Sequence, residues 1–186
     1  MDRLEARDAM DREAALPREQ RLRQVRPEVG ELLATLTLAI DARTIVEIGT
    51  SGGYSTLWFA LAAGRTGGRI TTFEVDSAKV ALARTTFADA GVADRIDLRH
   101  EDGVAGLAAL AEGSADLVFL DAEKDLYEHL LDPAIRALRP GGLLIADNLI
   151  SHAEALAGFQ ARALADPRLS GLVVPIGRGE LVAVRA

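Results

Sequence analysis

From residue 44 onward the chain alternates short apolar runs with longer segments of helical period. TIVEIG (44–49), RITTFEV (69–75), IDLRHE (96–101), ADLVFLD (115–121) and LLIADN (143–148) read as strands. Between them, YSTLWFALAAG (54–64), DSAKVALARTTFADAG (76–91), a short stretch through Leu107 and Leu110, and KDLYEHLLDPAIRALRPGG (124–142) read as helices. Asp76 is placed to cap the second of these and Gly91 to stop it. SHAEALAGFQARALAD (151–166) predicts a last long helix, and GLVVPI and ELVAVRA around Gly177-Arg178-Gly179 predict a closing antiparallel hairpin. Strand–helix alternation calls for right-handed crossovers and a mostly parallel sheet covered on both faces. The strands are near-continuous apolar runs, as strands buried on both faces must be.

Upstream, Pro27 opens PEVGELLATLTLAID, whose Val29, Leu32, Leu33, Leu36 and Ile40 form one apolar stripe. Residues 1–26 are dense in both signs of charge, are broken at Pro17, and predict one or two short amphipathic helices. The expectation is one domain over 1–186, with 1–26 as a helical extension and 27–186 as the core.

Composition narrows the function. Among 186 residues, 21 Lys and Arg face 28 Asp and Glu, a net charge of −7, which argues against binding nucleic acid. There is no cysteine, so disulfides, thiol catalysis and cysteine-ligated metals are excluded, in keeping with a reducing cytoplasm. No apolar run is long enough for a membrane span, and the charged start MDRLEARDAMDRE is unlike a signal peptide. Only two of the basic residues are lysines, Lys79 and Lys124. A lysine can lose its proton at accessible pH and an arginine cannot.

In doubly wound sheets ligands bind beyond the C-terminal strand ends. At the first such end stands Glu47-Ile48-Gly49-Thr50-Ser51-Gly52-Gly53-Tyr54-Ser55. Its glycines permit a tight turn and close backbone approach, and the following helix offers free N–H groups. The dinucleotide fingerprint fails, because Ser51 and Tyr54 stand where glycines are needed, and this argues against a nicotinamide-dependent oxidoreductase. Glu74 ends the second strand 25 residues after Gly49, near the spacing of ribose-binding acids. Asp102 follows the third strand and fits either a ligand group or a helix cap.

Asp121 ends the fourth strand and Asp147-Asn148 the fifth. Adjacent strands bring these oxygens together, and two carboxylates with one amide suit a hard cation such as Mg²⁺, Mn²⁺ or Ca²⁺ with coordination positions left open. Asp-Asn is also a common turn pair. Lys124 lies three residues past Asp121, where a nearby dication would depress its pKa and fit it to act as a base. His152, His100 and His129 read as structural or exposed, and Trp58 as core.

EIGTSGGYSTLWFA, TFEVD, Asp102, FLDAEKDLY, LRPGGLLIADN and PIGRGELVAVR, in this order and spacing, resemble the metal-dependent O-methyltransferases. That family includes the catechol and caffeoyl-CoA enzymes and their small bacterial relatives. The resemblance covers residues 21–186. It implies a Rossmann-like, doubly wound, seven-stranded mostly parallel sheet with an antiparallel last strand, S-adenosylmethionine as methyl donor, a divalent metal that chelates a catechol-like diol, and a homodimer. It places Glu47, Gly49, Thr50 and Ser55 at the methionine part of the donor, Glu74 at the ribose, Asp102 and Gly103 at the adenine, and Val25 over the donor, with Asp121 and Glu123 beside it. Asp121, Asp147 and Asn148 would hold the metal, and Lys124 with Asp121 would be catalytic. Two positions depart from the pattern: Arg23 where relatives carry an apolar residue, and Glu123 where they carry Asp. The segment after Asn148 is short, with Phe159 only 11 residues on, which argues against a large CoA-ester acceptor. Metal-independent transfer to another oxygen or nitrogen, and a non-catalytic donor-binding domain, are the alternatives.

Overall fold

Strand β1 (Thr44–Ile48) lies between β2 (Arg69–Glu74) and β4 (Ala115–Leu120), parallel to both. β3 (Ile96–His100) extends the sheet beyond β2, and β5 (Leu138–Ala146) extends it beyond β4, again in parallel. β7 (Glu180–Arg185) pairs antiparallel with β5 and with β6 (Leu169–Val174), giving the order β3-β2-β1-β4-β5-β7-β6. The computed structural model describes residues 1–15, 17 and 21–186, without the side chain of Arg12.

Helices cover both faces. On one, α2 (Pro27–Ala39), α3 (Tyr54–Thr66) and α4 (Ser77–Asp89) bury Leu33, Phe59 and Phe87 against Ile45, Ile70 and Phe119. On the other, α5 (Gly103–Ala109), α6 (Tyr127–Ala137) and α7 (Ala157–Ala165) bury Leu107, Leu131 and Phe159 against Val46, Val118 and Leu144. Successive residues of each central strand feed opposite layers, so Ile45 and Val46 are both buried. Trp58, partly buried, packs against the core on the α2 side, edge-on to Tyr54.

Two segments differ from the sequence expectation. α6 ends at Ala137, and Leu138 already begins β5 rather than continuing the helix to Gly142. Pro140 disfavours helix at Arg139, and the β4–β5 register shifts between Ala115 and Leu117 to take up the Pro-Gly-Gly stretch. The last long helix is shorter, beginning at Ala157. The residues before it are tied instead to the β6–β7 turn: Leu149 N–H donates to Gly179 O, and Ile150 and Ser151 N–H donate to Arg178 O. At the N-terminus, α1 (Asp2–Glu13) is a helix, and a strap of irregular backbone covers 21–26. Leu16 and residues 18–20 of the predicted extension lie outside the described residues.

The register sets the functional rim. Ile48 pairs with Phe73 and with Leu120, and Leu120 with Ala146. The residues that follow, Gly49, Glu74, Asp121 and Asp147, therefore emerge side by side at the C-terminal edge, where strand order reverses between β1 and β4. Because β7 runs the other way and Ala146 pairs with Leu181, Glu180 arrives at the same edge from the opposite direction.

Candidate active site

A cavity of about 560 Å³ opens on this rim, within the range of small-molecule sites. Its first wall is the β1–α3 turn. Gly49 adopts φ +103 and runs so close to β4 that a Cβ would sit 2.2 Å from Asp121 O, so no side chain fits there. Gly49 and Thr50 N–H both donate to Phe73 O, which locks the turn to β2.

Glu74 is held by this turn. Its Oε2 accepts from Ser51 N–H at 2.8 Å, and its Oε1 accepts from Val75 and Asp76 N–H at 2.9 and 3.0 Å. The carboxylate is thus fixed at the cavity wall with lone pairs left for a ligand. Asp102 lines the cavity too, and its Oδ1 accepts from Ala105 N–H, so it caps α5 as well as facing the space. Gly103 beside it packs on Ile48, where a Cβ would meet Cγ2 at 2.5 Å. Thr50, Ser55 and Val25 also line the cavity, Val25 from the strap, whose Leu22 O accepts from Ser51 Oγ–H at 2.6 Å.

Glu47 is placed differently from the other residues expected at the donor. It is fully buried, off the cavity wall, and accepts hydrogen bonds from Ser55, Thr56 and Thr72 hydroxyls. Burial pushes its carboxyl up to about 7, against the lowering effect of those three bonds. Its part is to hold the start of α3, and with it Ser55, against β1 and β2.

At the ends of β4 and β5, Asp121, Asn148 and Lys124 meet. Asn148 Nδ2–H donates to Asp121 Oδ1 at 3.0 Å, and Lys124 Nζ lies 3.6 Å from the same oxygen. Lys124 is neither exposed nor free to swing. Its ammonium donates to Ala122 O at 2.8 Å and stands 5.0 Å over the Tyr127 ring. Burial lowers its pKa, while Asp121 and Asp147 pull it back up. Arg23 pairs with Glu123 across the cavity mouth, and both line it. His152 also lines it.

Asp147 is buried behind this group. Burial, then the Asp121 charge, raises its carboxyl above the ordinary range. Among the described residues no set of three His, Cys, Asp or Glu side chains is arranged for a metal ion, so a cation here needs the Asn148 amide. The donor chemistry fits a hard cation. Asp121 and Asp147 repel each other across a poorly solvated rim, and Asn148, at φ +78, must only turn its amide over to offer Oδ1 in place of Nδ2.

Two residues of the site escape a reading of the sequence by motif. Tyr127 is fully buried, with its hydroxyl 3.1 Å from both Leu120 O and Asp147 O, and so ties the ends of β4 and β5 together. Glu180 is fully buried beside Asp147. The signal for Glu180 was present: a glutamate opening an apolar strand contradicts its surroundings unless it serves a site.

The family model described as O-methyltransferase matches residues 9–185. A catechol O-methyltransferase of Mycobacterium tuberculosis is 40% identical over 126 residues, 68% of this chain and 57% of that protein. One of Niastella koreensis is 36% identical over 135 residues, 71% of this chain and 61% of that protein. The matched part therefore spans about six-tenths of the length of these relatives. The structure of a Bacillus cereus O-methyltransferase in complex with SAH superposes with a TM-score of 0.81 at 28% identity, covering 100% of this chain and 91% of that one. By the extent of the family match and by the identity to its curated relatives, the chain belongs to the O-methyltransferase family.

Proposed function

We propose that the protein transfers the methyl group of S-adenosylmethionine to one hydroxyl of a small catechol-like acceptor, assisted by a divalent cation. The observation that carries this reading is the meeting, in one cavity, of the Gly49 turn with Glu74 on one side and of Asp121, Lys124 and Asn148 on the other. The names of the relatives support the acceptor class.

On the donor side, Glu74 accepts from ribose hydroxyls while Asp102 and Gly103 flank the adenine and Val25 closes from the strap. Thr50 and Ser55 border the methionine part, with Ser55 held by Glu47. On the acceptor side, Asp121, Asp147 and Asn148 would hold the cation, which when bound supplies Lewis acidity and a fixed point for two neighbouring oxygens. Lys124, its proton affinity reduced by burial, accepts the hydroxyl proton at Nζ. The acceptor oxygen forms a bond to the methyl carbon as the sulfur–carbon bond breaks, and S-adenosylhomocysteine leaves with the electron pair on sulfur.

A second reading is transfer without metal, with Lys124 as the sole base. The Asn148 amide directed at Asp121 favours it, since that contact already satisfies the carboxylate. One experiment separates the two. The protein is incubated with S-adenosylmethionine and a panel of catechols and non-diol phenols, in Mg²⁺ or in EDTA, and S-adenosylhomocysteine is measured. Product only from catechols and only with Mg²⁺ is expected. Undiminished product in EDTA supports the second reading, and no product in either condition defeats both.

A further inference from the structure

Two arginines reach the cavity from distant parts of the chain, and their hydrogen-bonding capacity is not used up. Arg178 sits at the tip of the β6–β7 turn, half-buried in the cavity wall. Its backbone is fixed: its carbonyl accepts from Ile150 N–H at 3.0 Å and Ser151 N–H at 2.9 Å. Gly179, at φ +92, presses so tightly on Ile150 that a Cβ would lie 2.6 Å from its backbone nitrogen. The turn is therefore held to the segment that carries Asn148. Among the described residues no carboxylate lies in ion-pair reach of the Arg178 guanidinium. Arg99 of β3, Arg139 of β5 and Arg162 of α7 each have such a partner.

Arg23 lies in the strap with φ +51, a left-handed conformation that a non-glycine residue adopts only when its surroundings impose it. One guanidinium nitrogen pairs with Glu123, while among the described residues Nε is buried without an acceptor. The neighbouring acids are already engaged, Glu123 by Arg23 and Asp121 by Asn148 and Lys124. A buried donor left without an acceptor costs stability until a ligand provides one. The guanidinium fork matches a carboxylate better than any neutral group.

We infer that the methyl acceptor is an anionic catechol, bearing a carboxylate on the ring away from the reacting hydroxyls, and that Arg178, assisted by Arg23, recognises it. The inference rests on the proposed methylation and narrows its acceptor. It also gives a role to the arginine at position 23.

The test compares 3,4-dihydroxybenzoate with its methyl ester, which keeps the ring and loses the charge, at saturating donor and Mg²⁺. The expected kcat/KM for the acid is about tenfold or more above that for the ester, carried by KM, as for one or two charge-assisted hydrogen bonds. That ratio falls toward one in Arg178→Met, is partly kept in Arg178→Lys, and falls part of the way in Arg23→Met. Equal kcat/KM for acid and ester in the wild type, or an unchanged ratio in Arg178→Met, overturns the inference and leaves the methylation standing. If neither compound is methylated, the proposed reaction fails. Calorimetry of 3,4-dihydroxybenzoate with the protein and S-adenosylhomocysteine then decides the site. Binding that Arg178→Met abolishes upholds the anion site, and no binding in the wild type removes it.

Discussion

Asp147 and Glu180 face each other as a buried carboxyl pair across the junction of β5 and β7. Among the described residues no N–H or hydroxyl group reaches either oxygen of Glu180, so the pair is expected to be held by a proton on one of its two carboxyls. Burial, then the Asp147 charge, pushes the Glu180 carboxyl far above the ordinary range. From the ordinary carboxylate pKa upward, the folded protein therefore binds a proton that the unfolded chain has released. Stability is full below that range and falls as pH rises. Glu180→Gln has no such proton to lose and still offers an N–H to Asp147. Urea denaturation from pH 5 to 10, in EDTA, should show the variant gaining on the wild type throughout. Parallel curves would mean that the two carboxyls do not share a proton.

Glu47 predicts a slope confined to a narrower window. Its carboxyl, raised by burial from 4.5 to about 7, is neutral in acid and charged above neutrality. The folded state holds the extra proton only between those values, so stability is lost as pH rises through them and is level beyond. Glu47→Gln keeps the shape and the acceptor oxygen. The stability difference between variant and wild type should grow by about 3 kcal/mol between pH 4 and pH 8 and then stay constant. A difference that does not vary with pH would show Glu47 charged throughout, held by its three hydroxyl donors.

What could be read from the sequence divides along physical lines. Central strands announce themselves because both faces are buried, and β1, β2, β4 and the end of β5 fall where their apolar runs lie. The residues at and just past their C-terminal ends, Glu74, Asp121 and Asp147, follow from the register of parallel strands. Segments 138–142 and 151–156 do not follow, because their conformation is set by partners far along the chain, a shifted β4 register and the Arg178 carbonyl. Glu47 sits in the same motif as Gly49, yet local pattern cannot distinguish a side chain turned into the core from one turned to the cavity. Glu180 was legible as a charge opening an apolar strand, but its neighbour was not, since pairing across an antiparallel strand sets it beside Asp147.

The proposed donor side rests on Glu74. Three backbone N–H groups already bind it, so truncation to Ala would disturb the Gly49 turn as well as a ligand. Glu74→Gln is the sharper variant, since it keeps an acceptor oxygen for the backbone and loses the charge. S-adenosylmethionine affinity measured by calorimetry without metal should fall about tenfold, the loss expected for hydrogen bonds to a charged acceptor. Unchanged affinity in a folded variant would remove Glu74 from the ribose.

Lys124 is the group whose chemistry can be isolated most cleanly. Its Nζ is held 3.6 Å from Asp121 and in contact with Ala122 O, so a substitution need not reposition a long mobile arm. Burial lowers its pKa, and as pH rises through the lowered value the neutral amine that accepts a proton becomes populated. Methylation by the wild type should therefore rise with pH and level off below the ordinary lysine range. Arginine retains the charge and cannot give up its proton. Lys124→Arg should lose about 10²-fold or more in kcat at pH 7, nearly as much as Lys124→Met, with donor affinity retained in both. Both variants should recover at high pH, where the acceptor hydroxyl ionises without help, and their pH profiles should keep rising where the wild type is flat. Near-wild-type turnover by Lys124→Arg would show that position 124 contributes only its charge, and the proton would then leave by another route.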